Sequence, residues 1–239
     1  DNGVVYRDKL LPEAVDLGLS VKWASFNVGA SAPAENGGYF AWGEIDEKEN
    51  YTWGTYKWAK GWENTLTKYN TKYGNGGSPD NIGRLESDDD VAHSYYHGKW
   101  RMPTYQECLE LNNSCTWELS PDSKGYTVTG TTGASIFIPL ASWKDGTELL
   151  YGEYVTCWSA TLNGGSPNYA YCLHLPLSPG AASEGGERIY GRPIRAVWDE
   201  NCTYDLVQSI SLDIGDLQLT IGNSQPLIKM LHGYHQTRQ

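Results

Sequence analysis

Val155-Thr-Cys-Trp-Ser-Ala-Thr-Leu162, Tyr169-Ala-Tyr-Cys-Leu-His-Leu175 and Arg188-Ile-Tyr-Gly-Arg-Pro-Ile-Arg-Ala-Val-Trp198 decide how this chain is read. Alternation along the first two fits a pair of β-strands, because successive strand side chains point to opposite faces. Large, chemically varied side chains sit between framework-like positions, and no recognisable catalytic set accompanies them. That pattern points to a binding face and not to an active site.

Outward from these segments, short strands alternate with turns. Strands are expected at 21–28, 38–42, 126–129, 135–140, 155–160, 169–175 and 188–197, with Gly130-Thr-Thr-Gly133 as a hairpin connection. Thr104-Tyr-Gln-Glu107 is a capping box that opens a helix to about Asn113, since the Thr hydroxyl and the Glu carboxylate can each satisfy a free backbone N–H. A second helix is expected from near Ser87 to a stop at Gly98, with Asp88, Asp89 and Asp90 complementing its positive end. Few helices among many short strands predict an α+β domain with antiparallel sheets. Stretches rich in Gly, Asn, Ser and Pro at 31–38, 74–81, 163–168 and 178–186 read as long loops. The repeated Asn-Gly-Gly-Ser-Pro at 75–79 and 163–167 is turn chemistry, because nothing around the two copies aligns.

A chain of 239 residues can bury a substantial core without a disulfide framework. Its formal net charge of −11 leaves little basic surface for phosphates, so nucleic acid is excluded as a partner class. No apolar run approaches the roughly 18 residues of a membrane span, so no membrane insertion is expected. The 10 Trp and 17 Tyr stand beside only 3 Phe; Trp and Tyr combine apolar area with a polar handle, which suits protein or glycan contact surfaces. Five cysteines leave at least one outside any intramolecular bridge, and their spacing matches no zinc or redox motif. Cys157 and Cys172 fit either a cross-strand disulfide or two buried thiols, and Cys108 and Cys115 could pair if they approach. His93 and His97, four residues apart, are read as ordinary histidines in preference to metal ligands. No nucleophile elbow, zinc-protease pair or phosphate loop is present.

Val15-Asp-Leu-Gly-Leu-Ser-Val-Lys-Trp23, Tyr39-Phe-Ala-Trp-Gly-Glu44 and Trp100-Arg-Met-Pro-Thr104, taken with the C-terminal segments, resemble a family of surface proteins from Bacteroides-type bacteria. That family has a C-type-lectin-like fold related to formylglycine-generating enzymes, and some members are the variable proteins of diversity-generating retroelements. The resemblance covers roughly residues 14 to 198. Residues 1–13 precede it as a leader segment, and 200–239 read as a truncated immunoglobulin-like module or tail, with strands at 207–213 and 217–222.

The resemblance implies an exported, non-enzymatic surface adhesin of bacterial or phage origin that holds a protein or glycan on its final strands without a cofactor. No signal peptide opens the chain, and export implies a leader already removed. Carried over by position, the framework is Trp158, Ser159, Ala170, Leu173, Leu175, Arg188, Gly191 and Arg195. The ligand-facing residues are Tyr169, Tyr171, Cys172, His174, Ile189, Tyr190 and Arg192, with Tyr154 and Asn168 at the rim. The chain departs from the family at Ala196, Pro193 and the long insertion Pro176 to Gly186. The calcium motifs of sugar-binding C-type lectins are missing, although the acidic loop Glu44 to Glu49 could supply oxygens to a structural calcium. Two other readings remain: a fixed scaffolding module of a surface protein, and a formylglycine-type oxidase using Cys157 and Cys172.

Overall fold

The computed structural model describes residues 10–150, 154–176, 185–204, 210–214 and 217–221. The chain divides into two compact units, Asp1–Cys202 and Thr203–Gln239. In the first unit the chain opens with β1 (Ala14–Val15) and β2 (Lys22–Ala24), then reaches α1 (Val91–Tyr96), β3 (Trp100–Arg101) and α2 (Tyr105–Ser114). Next come β4 (Thr116–Leu119), β5 (Gly125–Thr129), β6 (Ser135–Pro139), β7 (Trp143–Asp145) and β8 (Glu148–Leu150). It closes with β9 (Tyr154–Leu162), β10 (Tyr169–Pro176), β11 (Gly186–Glu187) and β12 (Val197–Trp198). The second unit holds β13 (Ile210–Ile214) paired antiparallel with β14 (Leu217–Ile221). Every described ladder is antiparallel and the architecture is α+β.

The capping box forms as its residues dictate. Thr104 N–H donates to Glu107 Oε2 at 2.7 Å, and Glu107 N–H donates to Thr104 Oγ1 at 3.3 Å, worth about 1 kcal/mol to α2. Glu107 also binds Arg101, whose Nε and Nη2 both donate to Asp199, so one guanidinium ties β3, α2 and the end of β12 together.

The three aspartates expected to share a helix start take separate tasks. Ser87–Asp89 is a single 3₁₀ turn, and α1 begins only after it. Asp90 is the N-cap, accepting from His93 N–H at 3.1 Å, and is fully buried. Asp89 receives Lys57, Lys68 and the Tyr69 hydroxyl; burial alone would raise its carboxyl, but these partners outweigh it and hold the group below the usual carboxylate range. Only Asp88 faces solvent.

The Gly130–Gly133 hairpin joins β5 to β6 as expected, with Gly130 N–H on Ala134 O at 2.9 Å. A β-carbon on Gly130 would stand 2.1 Å from Leu17 O, so this turn needs glycine for close approach.

Elsewhere the expected strands shrink. Of 21–28 only Lys22–Ala24 is strand, 38–42 keeps one bridge from Phe40 to Arg192, and 188–197 is mostly irregular. The last stretch is laced between distant segments: Phe40 N–H on Arg192 O, Trp42 N–H on Arg188 O and Val28 N–H on Ile194 O. Pro193, with no N–H to donate, interrupts a regular ladder.

β9 and β10 form the middle of the unit. Cys172 lies opposite Trp158 and Leu173 opposite Cys157, and then the register shifts by the time Ala170 meets Leu162. The extra residues are on β9, where Ser159 Oγ donates to Tyr171 O at 2.8 Å and so closes the bulge. Trp158 and Cys172 join one apolar core with Phe40, Trp42 and Trp100. Cys157 and Leu173 join the other, with Trp23, Leu111, Val128 and Ile138. The pair is therefore sandwiched, with a core against each face.

The five cysteines are free thiols. Cys157 and Cys172 sit in opposite cores, so the choice between cross-strand disulfide and two buried thiols falls to the thiols.

Candidate functional site

Sandwiching changes where the expected ligand-facing residues stand. Cys172, Ile189 and Arg192 are buried, which corrects their outward placement: alternation sends Cys172 into the first core, while Ile189 packs among Tyr39, Tyr51 and Tyr56. Tyr171 is half-buried, stacked on Tyr105 of α2. Tyr154, Asn168, His174 and Tyr190 are also half-buried, and Tyr169 is exposed.

Arg188 and Arg195, assigned to the framework, are internal cross-links. Arg188 donates from Nε to the Tyr56 hydroxyl, from Nη1 to Tyr69 O and Pro167 O, and from Nη2 to Lys68 O, and lies against the rings of Trp42, Tyr56 and Tyr69. Arg195 donates to Asn27 Oδ1, Ala24 O and Phe137 O. Burial lowers Arg195 to about 10. Neutral oxygens satisfy both guanidiniums.

Tyr154, Thr156 and Trp158 of β9 share one face with Cys172 and His174 of β10. Arg192 lies across it, its guanidinium carbon 4.8 Å from the Trp158 ring and 5.2 Å from that of Trp143. Nη1 donates to Thr156 Oγ1 and, at 3.5 Å, to Cys172 Sγ. His174 stacks on Tyr154 at 4.8 Å, and Trp143 stands 5.9 Å from His174 and 5.8 Å from Tyr154. His174 Nδ1 and Arg192 Nε are buried without a hydrogen-bond partner. Burial first, then the Arg192 charge, pushes His174 down to about 4, so the ring is neutral at pH 7.

β7 carries the site's edge. Lys144 and Gly191 exchange backbone hydrogen bonds, which brings Trp143 and Asp145 alongside residues 190–192. Glu187 lies beside the Tyr190 and Tyr169 hydroxyls. Its carboxyl is pushed up by burial and then by the charges of Glu63 and Asp145. Two clusters result, Tyr169 with Glu187, Tyr190 and Asp145, and Trp143 with Tyr154 and His174; β7, which carries both Asp145 and Trp143, joins them into one strip.

Trp143, Asp145 and Glu187 were missed from sequence. A signal existed for the first two: Asp145-Gly146 is turn chemistry, and β7 and β8 are joined by the two-residue loop Gly146-Thr147. Glu187 had none, because only the pairing of β11 with β10 brings it to Tyr169.

The remaining sequence candidates lie apart. His93 and His97 meet edge to face at 5.9 Å, with His93 Nδ1 3.1 Å from Trp100 O. In the acidic loop Glu44 binds Lys48 and the Lys57 N–H, and Glu47 accepts from Tyr39 N–H, so the protein's own donors occupy oxygens a calcium would need. Among the described residues no group of three or more His, Cys, Asp or Glu is arranged to hold a metal, and no helix is long and apolar enough to cross a membrane.

Comparison with family models, with curated proteins and with solved structures returns no match in any of the three.

Proposed function

We propose that the chain is a non-enzymatic surface ligand-binding protein of C-type-lectin-like fold that recognises a glycan or protein through the strip from Tyr169 to His174. The observation that carries this reading is the concentration of solvent-reaching Trp and Tyr rings beside carboxylates on β7, β10 and β11. Such side chains supply amphipathic area at modest entropic cost. The fold assignment is supported by β2 and β12, from opposite ends of the first unit, lying side by side in one sheet with β1 and β3.

The thiols weigh against oxidase chemistry. Cys157 is 2% exposed and pushed up to about 11 by burial, whereas a reactive cysteine needs access and a stabilised thiolate. The deciding experiment is a glycan and surface-protein binding screen with the intact chain and with Tyr169→Ala, Tyr190→Ala and Trp143→Ala. Binding lost in these variants at an unchanged melting temperature supports the reading; binding that survives all three overturns it.

A diversified locus would concentrate replacements at Tyr154, Asn168, Tyr169, His174 and Tyr190 and spare the buried Cys172, Ile189 and Arg192 and the Tyr171 stacked on Tyr105. Position-by-position sequencing from a natural population tests this, and an even rate would remove diversification.

A further inference from the structure

Among the described residues of the first unit four arginines are buried, and three donate from every guanidinium nitrogen. Arg101 uses the same edge on a carboxylate: its Nε and Nη2, the two donors along one side of the fork, both donate to Oδ2 of Asp199, at 3.0 and 2.9 Å. Arg188 and Arg195 use Nε, Nη1 and Nη2 alike. Arg192 differs. It is 4% exposed and only Nη1 donates. Its Nε is buried without a hydrogen-bond partner.

Leaving a buried donor unpaired costs about 1–3 kcal/mol, more for a charged group, so the empty edge calls for an account. The Nε–Nη2 edge is the side of arginine that grips a carboxylate with two parallel hydrogen bonds. It lies against Gly186, where an added β-carbon would stand 2.4 Å from Nη2 and 3.2 Å from Nε. The missing side chain is what lets the backbone come so close to that edge. His174 Nδ1, a second buried polar atom without a partner, is on the same strand face.

On the reading above, which this inference deepens, we infer that the Nε–Nη2 edge of Arg192 is the carboxylate-binding fork of the strip and that its ligand is an acidic sugar. The ring stacks on Trp143 and Tyr154 while its carboxylate meets Arg192. A neutral His174 contributes no charge, so Arg192 supplies the cationic contact, and His174 offers a hydrogen bond to a hydroxyl. Glu187 and Asp145 then accept from further hydroxyls. The same carboxylates, with the formal charge of −11, repel a polyanion and admit a ligand with a single negative charge among many hydroxyls.

Titration of the whole chain with sodium D-glucuronate, D-glucose and N-acetylglutamate amide at constant ionic strength tests this, read by the histidine ring signals in ¹H–¹³C NMR. Glucuronate is expected to shift His174 saturably and to bind at least about tenfold more tightly than glucose. Gly186→Ala, which blocks the fork without removing charge, and Arg192→Lys, which keeps the charge without the fork, should each erase that preference. If one variant fails to fold, the other still decides. Equal binding of glucuronate and glucose, both lost in Tyr169→Ala, would overturn the carboxylate inference and leave the strip standing. Tighter binding of the glutamate amide would overturn the assignment to a sugar, and no binding of any probe would overturn the fork.

Discussion

Tyr171 of β10 lies face to face with Tyr105 at the start of α2, their ring centroids 4.2 Å apart and their planes 15° from parallel. Tyr105 N–H meanwhile donates to Thr161 Oγ1 at 3.0 Å, so the helix start is held to both long strands. The stack makes Tyr171 part of the strand–helix contact, whereas Tyr169, two residues earlier, is 40% exposed. Tyr171→Ala is expected to cost about 1–3 kcal/mol of unfolding free energy, and Tyr169→Ala about 0.5 kcal/mol or less. Urea unfolding of the two variants checks this; equal losses would refute it.

Arg188 draws Tyr56, Lys68, Tyr69 and Pro167 onto one guanidinium. Lysine keeps the charge but cannot span those acceptors with a planar fork. Arg188→Lys should lose about 3 kcal/mol or more, since oxygens brought inside for the fork are left unsatisfied. A melting temperature within about 3 °C of the parent would contradict the cross-link.

His174 gives the first unit an acid sensitivity with a definite sign. Its imidazole sits against Tyr154 and Trp143, opposite Thr156, with Arg192 as the cation that disfavours its protonation. The folded value of about 4 lies below the 6.5 of a free histidine side chain. The unfolded chain therefore takes up a proton first, and this contribution is fully present above about pH 6.5 and is lost as pH falls towards 4. From pH 7.5 to pH 5 it amounts to no more than about 2 kcal/mol, reduced by solvent screening of the half-buried ring. His174→Asn should remove that part of the pH dependence in denaturant titrations, and an unchanged profile would count against it.

Thiol accessibility follows the two cores. Cys108, Cys157 and Cys172 are buried, and burial raises the first two; Cys115 and Cys202 reach solvent in part. Under native conditions an aromatic disulfide reagent should label Cys115 and Cys202, with the other three reacting only on unfolding. Rapid labelling of Cys157 would reopen the oxidase reading.

Local chemistry was legible wherever the deciding partners are neighbours in the chain. Thr104 and Glu107 are three residues apart, and their reciprocal bonds form as the spacing dictates. Gly130 and Gly133 make the hairpin, and alternation placed β9 and β10. Composition announced many amphipathic rings and too little basic surface for phosphates. Side-chain periodicity assigns residues to two faces, but it says nothing about what covers each face. Only tertiary structure set a core against both sides of β9 and β10, which buried Cys172 and Arg192 and left Tyr169 at the edge. The arginines show the same limit: Arg195 meets Asn27 and Arg188 meets Tyr56 across most of the chain, through directional bonds no local pattern encodes. Short-range hydrogen bonds and periodicity therefore belong to the sequence. The choice of which surface stays open belongs to packing, because it depends on segments that meet only when the whole unit has closed.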